Sequence, residues 1–227
     1  MGPSRSSTRS RVRDRRQCGP VLLCTGLFLC AAEIWKQLYL YFVVFHSYRV
    51  WYLPWQLCSM PIYLCLAYGL LPFRAQRCIA TFLADYGMLG GIAALIVHSG
   101  FTFPDHPLLT LHGYLWHITL ILLSLYITAN HLSDTKRAGF RKTLPLFFTC
   151  AGIAELLNIS LHRFGDCDMF YISPYHLSSQ PVFSDIDRLL GRIPGIFLYL
   201  AAVICGAFLI HLLLGRLQKH FLRPHFT

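Results

Sequence analysis

Charge is scarce in this 227-residue chain: Asp, Glu, Lys and Arg make up 13%, and only ten acids stand against twenty bases. With 55% hydrophobic residues and a positive mean hydropathy, that scarcity excludes an ordinary soluble domain, in which about a quarter of residues are charged. Sequence motifs are scarce as well. No Cys-x-x-Cys pair, Walker loop, dinucleotide fingerprint, His-Glu-x-x-His or internal repeat occurs, so nothing calls for a metal or a nucleotide cofactor. Nine cysteines are present, but they are scattered from Cys18 to Cys205 and give no disulfide framework. A net charge of +10 would point to nucleic acid in a soluble protein. Here the bases form no stripe with interleaved aromatics, and they are read instead as topogenic charge.

What is abundant is long apolar runs. Six candidate spans occupy residues 20–45, 54–71, 78–98, 109–130, 144–162 and 193–214, each about long enough for roughly 30 Å of hydrocarbon, the second and fifth barely so. The expected fold class is all-α: a polytopic membrane protein of six transmembrane helices with both termini cytoplasmic. That orientation places 15 of the 20 Lys and Arg on the inner side. The expected layout is a disordered basic tail (1–19), a six-helix domain (20–214) with an outer loop (163–192), and a basic tail (215–227). The first span could be mistaken for a signal peptide, yet its apolar core runs on through "LYLYFVVF" without a clean cleavage site. An uncleaved helix and a multi-pass protein of the cell membrane are therefore expected.

Function must then come from polar residues inside the spans, where they are costly and usually face the bundle interior. In an inward-running second span, Cys58 of "LPWQLCSMP" lies about one turn below the outer surface. His112 of "LTLHGYLW" lies about one turn below it in the fourth span. At about 1.5 Å per residue both sit roughly 5 to 7 Å deep. A thiol beside an imidazole is an activated nucleophile, because the ring can take its proton. Equal depth permits contact without establishing it, and the competing reading has Cys58 packing and His112 bonded at the interface. His117 points elsewhere. Glu155 and Asn158 lie one turn apart near the depth of Cys58, and Gln56 and Ser59 flank the thiol in sequence. Glu33, Lys36 and Gln37 can pair along the first span, and Asp85 can pair with a neighbouring helix. Gly87, Gly90 and Gly91 suit close helix packing. The loop 163–192, with Phe170, Tyr171, Tyr175 and Phe183, reads either as an ordered cap on the outer mouth or as a solvated connection.

The stretches "WQLCSMPIYL", "DYGMLGGIAAL", "LHGYLWHITLILLSLYI", "ELLN", "MFYISPY" and "LGRIPGIFLYL" resemble the bacterial YwaF-like integral membrane proteins, grouped with the eukaryotic transmembrane protein 164 family. The resemblance covers roughly residues 20–214, and "QLCS" and "HG" are its most specific parts. It implies six helices and, from the eukaryotic members, lipid acyl transfer by a membrane cysteine; a more distant six-helix group hydrolyses fatty acid esters with a threonine and a histidine. Carried over by motif, Cys58 is the nucleophile and His112 the base; from depth and sequence neighbourhood, Gln56, Glu155 and Asn158 are expected as substrate-side groups. The partner would be a membrane phospholipid or lysolipid, without nucleic acid and without a cofactor. The alternative is a transporter or receptor in which Glu33, Lys36, Asp85 and Glu155 form a polar pocket. A third reading, a metal-dependent hydrolase built on His98, His106 and His112, has no ligand pair at helical spacing.

Overall fold

The computed structural model describes the backbone of residues 5–221 and the side chains of residues 19–220. Among the described residues the chain is all-helical, without strands. The helices are α1 (Arg5–Tyr39), α2 (Met60–Tyr68), α3 (Phe73–Ile96), α4 (Pro107–Ala129), α5 (Arg137–Leu161), α6 (Phe183–Leu190) and α7 (Arg192–Phe221). A π-helical turn, Leu40–Phe45, prolongs α1 until His46 turns left-handed at φ 51°. The expected tails fall wholly or partly outside the described side chains, and α1 carries the backbone of the first tail back to Arg5.

Among the described residues, five helical stretches are long and apolar enough to cross a bilayer: Gly19–Phe45, Phe73–Ile96, Pro107–Ala129, Arg137–Phe164 and Arg192–His220. Their outward faces carry exposed Leu27, Phe28, Leu122, Leu156, Phe197 and Leu209, as expected where the solvent is lipid. The second expected span differs. Its α-helix has nine residues, preceded by a 3-10 turn at Leu57–Ser59. Proline explains the late start: Pro61, without an N–H, is tolerated only in a first turn, so the helix begins beside it, and residues 53–56 are non-helical.

That segment nevertheless traverses the bundle. Its start, Val50, Leu53, Trp55 and Leu57, packs with Cys167 and Met169 of the long loop. Its far end, Cys65 and Tyr68, packs with Leu22 of α1, Ile79 of α3, Ile127 of α4 and Leu214 of α7. Both ends of the described chain therefore lie at one end of the bundle, opposite the loop. Close contacts use small residues. A Cβ on Gly26 would meet the Cys65 Cβ at 3.0 Å, and one on Gly91 would meet the His117 carbonyl at 2.9 Å, so α1 meets α2 and α3 meets α4 nearly backbone to backbone.

Asp85 pairs across the core with His211 of α7: Nδ1 lies 2.9 Å from its carboxylate, and Nε2 lies 3.1 Å from the Lys136 carbonyl. Both side chains are buried. The loop after α5 is an ordered cap. Asn158 accepts the Met169 N–H at 2.7 Å and donates to the Met169 carbonyl at 3.2 Å. Gln56 donates to the Asp168 carbonyl and accepts the Phe170 N–H, each at 2.8 Å. Arg192 donates to the Ser173 and Tyr171 carbonyls and to Asp187 at 2.7 Å, with Asp168 at 3.6 Å.

Candidate functional site

A cavity of about 460 Å³ lies between the descending segment, α1, α3, α4 and the cap. Glu33 and Lys36 reach it from α1, Gln56 and Cys58 from the descending segment, His112, Trp116 and His117 from α4, and Tyr171 and Gln180 from the cap. Cys58 and His112 thus line one space.

Local structure explains how Cys58 comes to be there. Residues 50–59 run against the bundle without a continuous helix, so their carbonyls need other donors. Gln37 donates to the Tyr52 carbonyl. Tyr63 donates to the Pro54 carbonyl at 2.7 Å. In the 3-10 turn Ser59 donates to Gln56 and Met60 to Leu57, so the next donor, for the Cys58 carbonyl, would be residue 61, a proline with no N–H. The indole N–H of Trp116 fills that vacancy at 3.2 Å. An orphan created by Pro61 is thereby converted into a tie between the nucleophile candidate and α4, and Cys58 packs in one cluster with Leu29, Ile62, Trp116 and Leu120.

His112 stands one turn before Trp116 on the same helix face, with ring centroids 5.5 Å apart, and stacks on Trp35 of α1 at 5.6 Å. Its Nε2 is buried without a hydrogen-bond partner among the described residues. An unpartnered ring nitrogen facing the cavity side of α4 is available to accept or to give a proton. His117 is spent differently, with Nδ1 on the Gly113 carbonyl at 2.7 Å and its ring stacked on Phe101. Glu33 is held by Lys36 at 2.8 Å and by Gln37 at 2.7 Å, so the cavity wall contains a neutralised acid and a cation with ammonium hydrogens to spare.

The other expected groups are placed apart from the thiol. Gln56 lines the cavity, but its carboxamide is engaged by the cap. Asn158 and Glu155, 3.4 Å from each other, lie on α5, where Asn158 is buried beneath the cap. Among the described residues, no three of His, Cys, Asp and Glu come together as a metal site; His106 packs edge-on against Tyr39. Trp116 and Gln180 are site residues that sequence reasoning passed over, and Tyr171, expected only as part of a cap, reaches the cavity as well. Trp116 had one signal: it follows His112 by four residues, on one face.

An all-helical chain with five membrane-length helices, apolar outward faces and an internal cavity rich in polar groups is a multi-pass membrane protein. The chain belongs to the TMEM164 family, which it matches over residues 6–212. No curated protein and no solved structure matches it.

Proposed function

We propose that this protein is a lipid acyltransferase or acyl-ester hydrolase of the cell membrane, with Cys58 as nucleophile and His112 as base. The observation that carries the reading is that one cavity holds both groups, tied through Trp116, with the His112 Nε2 buried and without a hydrogen-bond partner among the described residues. His112 Nε2 takes the thiol proton as the Cys58 sulfur attacks an acyl ester carbonyl. The tetrahedral intermediate collapses, the ester C–O bond breaks, and the departing alcohol takes the proton from Nε2. In the second half a lysolipid hydroxyl or water gives its proton to Nε2 and attacks the thioester. The sulfur leaves as thiolate and recovers that proton. Gln56 lines the same cavity and enters this reading by holding the cap over it.

The basic residues favour cytoplasmic termini, six crossings with the 53–71 segment counted as one, and a cavity opening toward the outer face. Asn158 enters this reading through the cap it holds, which roofs the cavity, and Glu155 through its bond to Asn158.

Purified protein incubated with an acyl-labelled phospholipid should acquire a hydroxylamine-sensitive label on Cys58. Cys58→Ala should lose turnover by several orders of magnitude and unfold within about 1 kcal/mol of the parent. Cys65→Ala, two turns deeper on the same segment, is the packing control. His112→Ala should also lower turnover and add little to Cys58→Ala, because residues acting as one unit are not additive. Full turnover by the Cys58→Ala protein would sink the mechanism. It would leave the second reading, a transporter or receptor pocket, which the Glu33, Lys36 and Gln37 cluster in the same wall supports.

A further inference from the structure

A second, wholly different space lies against the same two residues of α4. It is a groove of about 290 Å³ between α1 and α4, walled by Phe28, Ala32 and Trp35 on one side and by Leu108, Leu111 and Leu115 on the other. His112 and Trp116 form its back and also line the polar cavity, so these two side chains are the partition between the spaces. Phe28, Leu108, Leu111 and Leu115 are about half exposed, whereas Trp116 is 6% exposed. All of these residues lie within membrane-length helices, so the groove mouth faces hydrocarbon, and an apolar groove there is filled by acyl chain rather than by water.

We propose that this groove holds the acyl chain of the reacting lipid, which reaches Cys58 sideways from the bilayer between α1 and α4. The inference rests on the acyl-transfer reading. The order of groups along α1 matches the order of groups in an amphiphile. Lys36 and Glu33 face the polar cavity, while Ala32 and Phe28 line the groove; Phe28 and Lys36 are eight residues, about 12 Å, apart. A lipid lying along this line puts its polar head beside Lys36, its ester at the His112 partition and its chain toward Phe28 and Leu115. A water-soluble acyl donor would need only the polar cavity, and the groove would then have no catalytic use.

The test uses the full chain in lipid nanodiscs. With Trp35→Phe, Trp51→Phe and Trp55→Phe, Trp116 becomes the sole tryptophan and reports from the back of the groove. Phosphatidylcholine brominated on its acyl chains should quench its emission, and adding Leu111→Phe and Leu115→Phe should relieve most of that quenching. In the protein with its native tryptophans, the same two leucine substitutions should lower the ratio of palmitoyl to butyryl ester turnover by roughly tenfold or more. Emission from Trp116 that is equal in brominated and plain lipid overturns the proposal. If the tryptophan substitutions disturb folding, the chain-length ratio decides alone, and an unchanged ratio overturns it. Failure of the butyryl ester to label Cys58 in the parent protein removes the acyl-transfer reading instead, while the quenching still decides what occupies the groove.

Discussion

At the scale of single residues, the tie between Trp116 and Cys58 is the contact on which the site turns. Pro61 withholds the backbone donor that the Cys58 carbonyl needs, and the indole supplies it from another helix. Trp116→Phe keeps most of the ring's packing and removes only that donor, leaving a buried carbonyl unpaired. The expected cost is about 1 kcal/mol of stability. Turnover should fall further than that loss explains, because Cys58 is no longer held at the depth of His112. Unfolding curves and single-turnover labelling of Cys58 measured on one preparation separate the two effects. If Trp116→Phe lost stability but acylated Cys58 at the parental rate, the tie would serve folding alone.

At the scale of elements, the cap from 162 to 191 is held by Asn158, by Gln56 and by one cation. Arg192, at the start of α7, reaches two cap carbonyls and two acids, so Arg192→Met should strand Asp187 and Asp168 without their counter-charge. The cost should be about 3 kcal/mol or more. Faster hydrogen exchange confined to the cap amides, with the helices still protected, would identify the loss as local. Two carboxylates sharing one guanidinium carry one surplus negative charge. Asp187 holds the shorter contact, 2.7 against 3.6 Å, and the Asp168 Oδ2 is buried without a partner among the described residues.

Burial, partly offset by the Ser173 N–H and by Arg192, holds the Asp168 carboxyl up from its ordinary 3.8 to about 6. A folded value above the unfolded one means that the folded cap binds the extra proton. Its contribution to stability is therefore full below about pH 4 and is lost as pH rises through about 6. Cap protection factors, taken against the intrinsic exchange rate at each pH, should fall across that window in the parent and stay flat in Asp168→Asn. Equal slopes in the two proteins would place the proton elsewhere.

At the scale of the whole molecule, the question is how many times the chain crosses. The segment from Val50 to Tyr68 passes from the cap end of the bundle to the opposite end with only nine residues in α-helix, and both ends of the described chain lie at that opposite end. A segment that crosses the protein in this way should cross the bilayer, giving six passages and termini on one side. Reporter fusions after residues 105, 140 and 180 should then read outside, inside and outside. An external reading at 140 would invert the orientation and turn the cavity toward the cytoplasm.

Some of this was legible in the sequence because it depends on composition and on neighbours along the chain. The apolar runs predicted the five long helices, since length and hydropathy alone decide whether a segment can span. The same criteria named the segment around Cys58 as a span and missed that its first half is not helical. Pro54 and Pro61 were visible, but the side-chain donors that make an irregular backbone tolerable at depth, Gln37, Tyr63 and Trp116, lie up to 58 residues away. Depth counted from helix starts brought Cys58 and His112 to the same level. Only packing could bring them to one cavity, and only packing could assign Asn158 to the cap. A carboxamide one turn from a glutamate looks the same in sequence whether it meets a substrate or a loop amide, and its partner, Met169, is set by how the chain returns over the bundle. Periodicity and hydropathy are properties of consecutive residues. Which buried polar atom is satisfied, and which is left open as His112 Nε2 is, depends on contacts between segments that only the folded bundle makes.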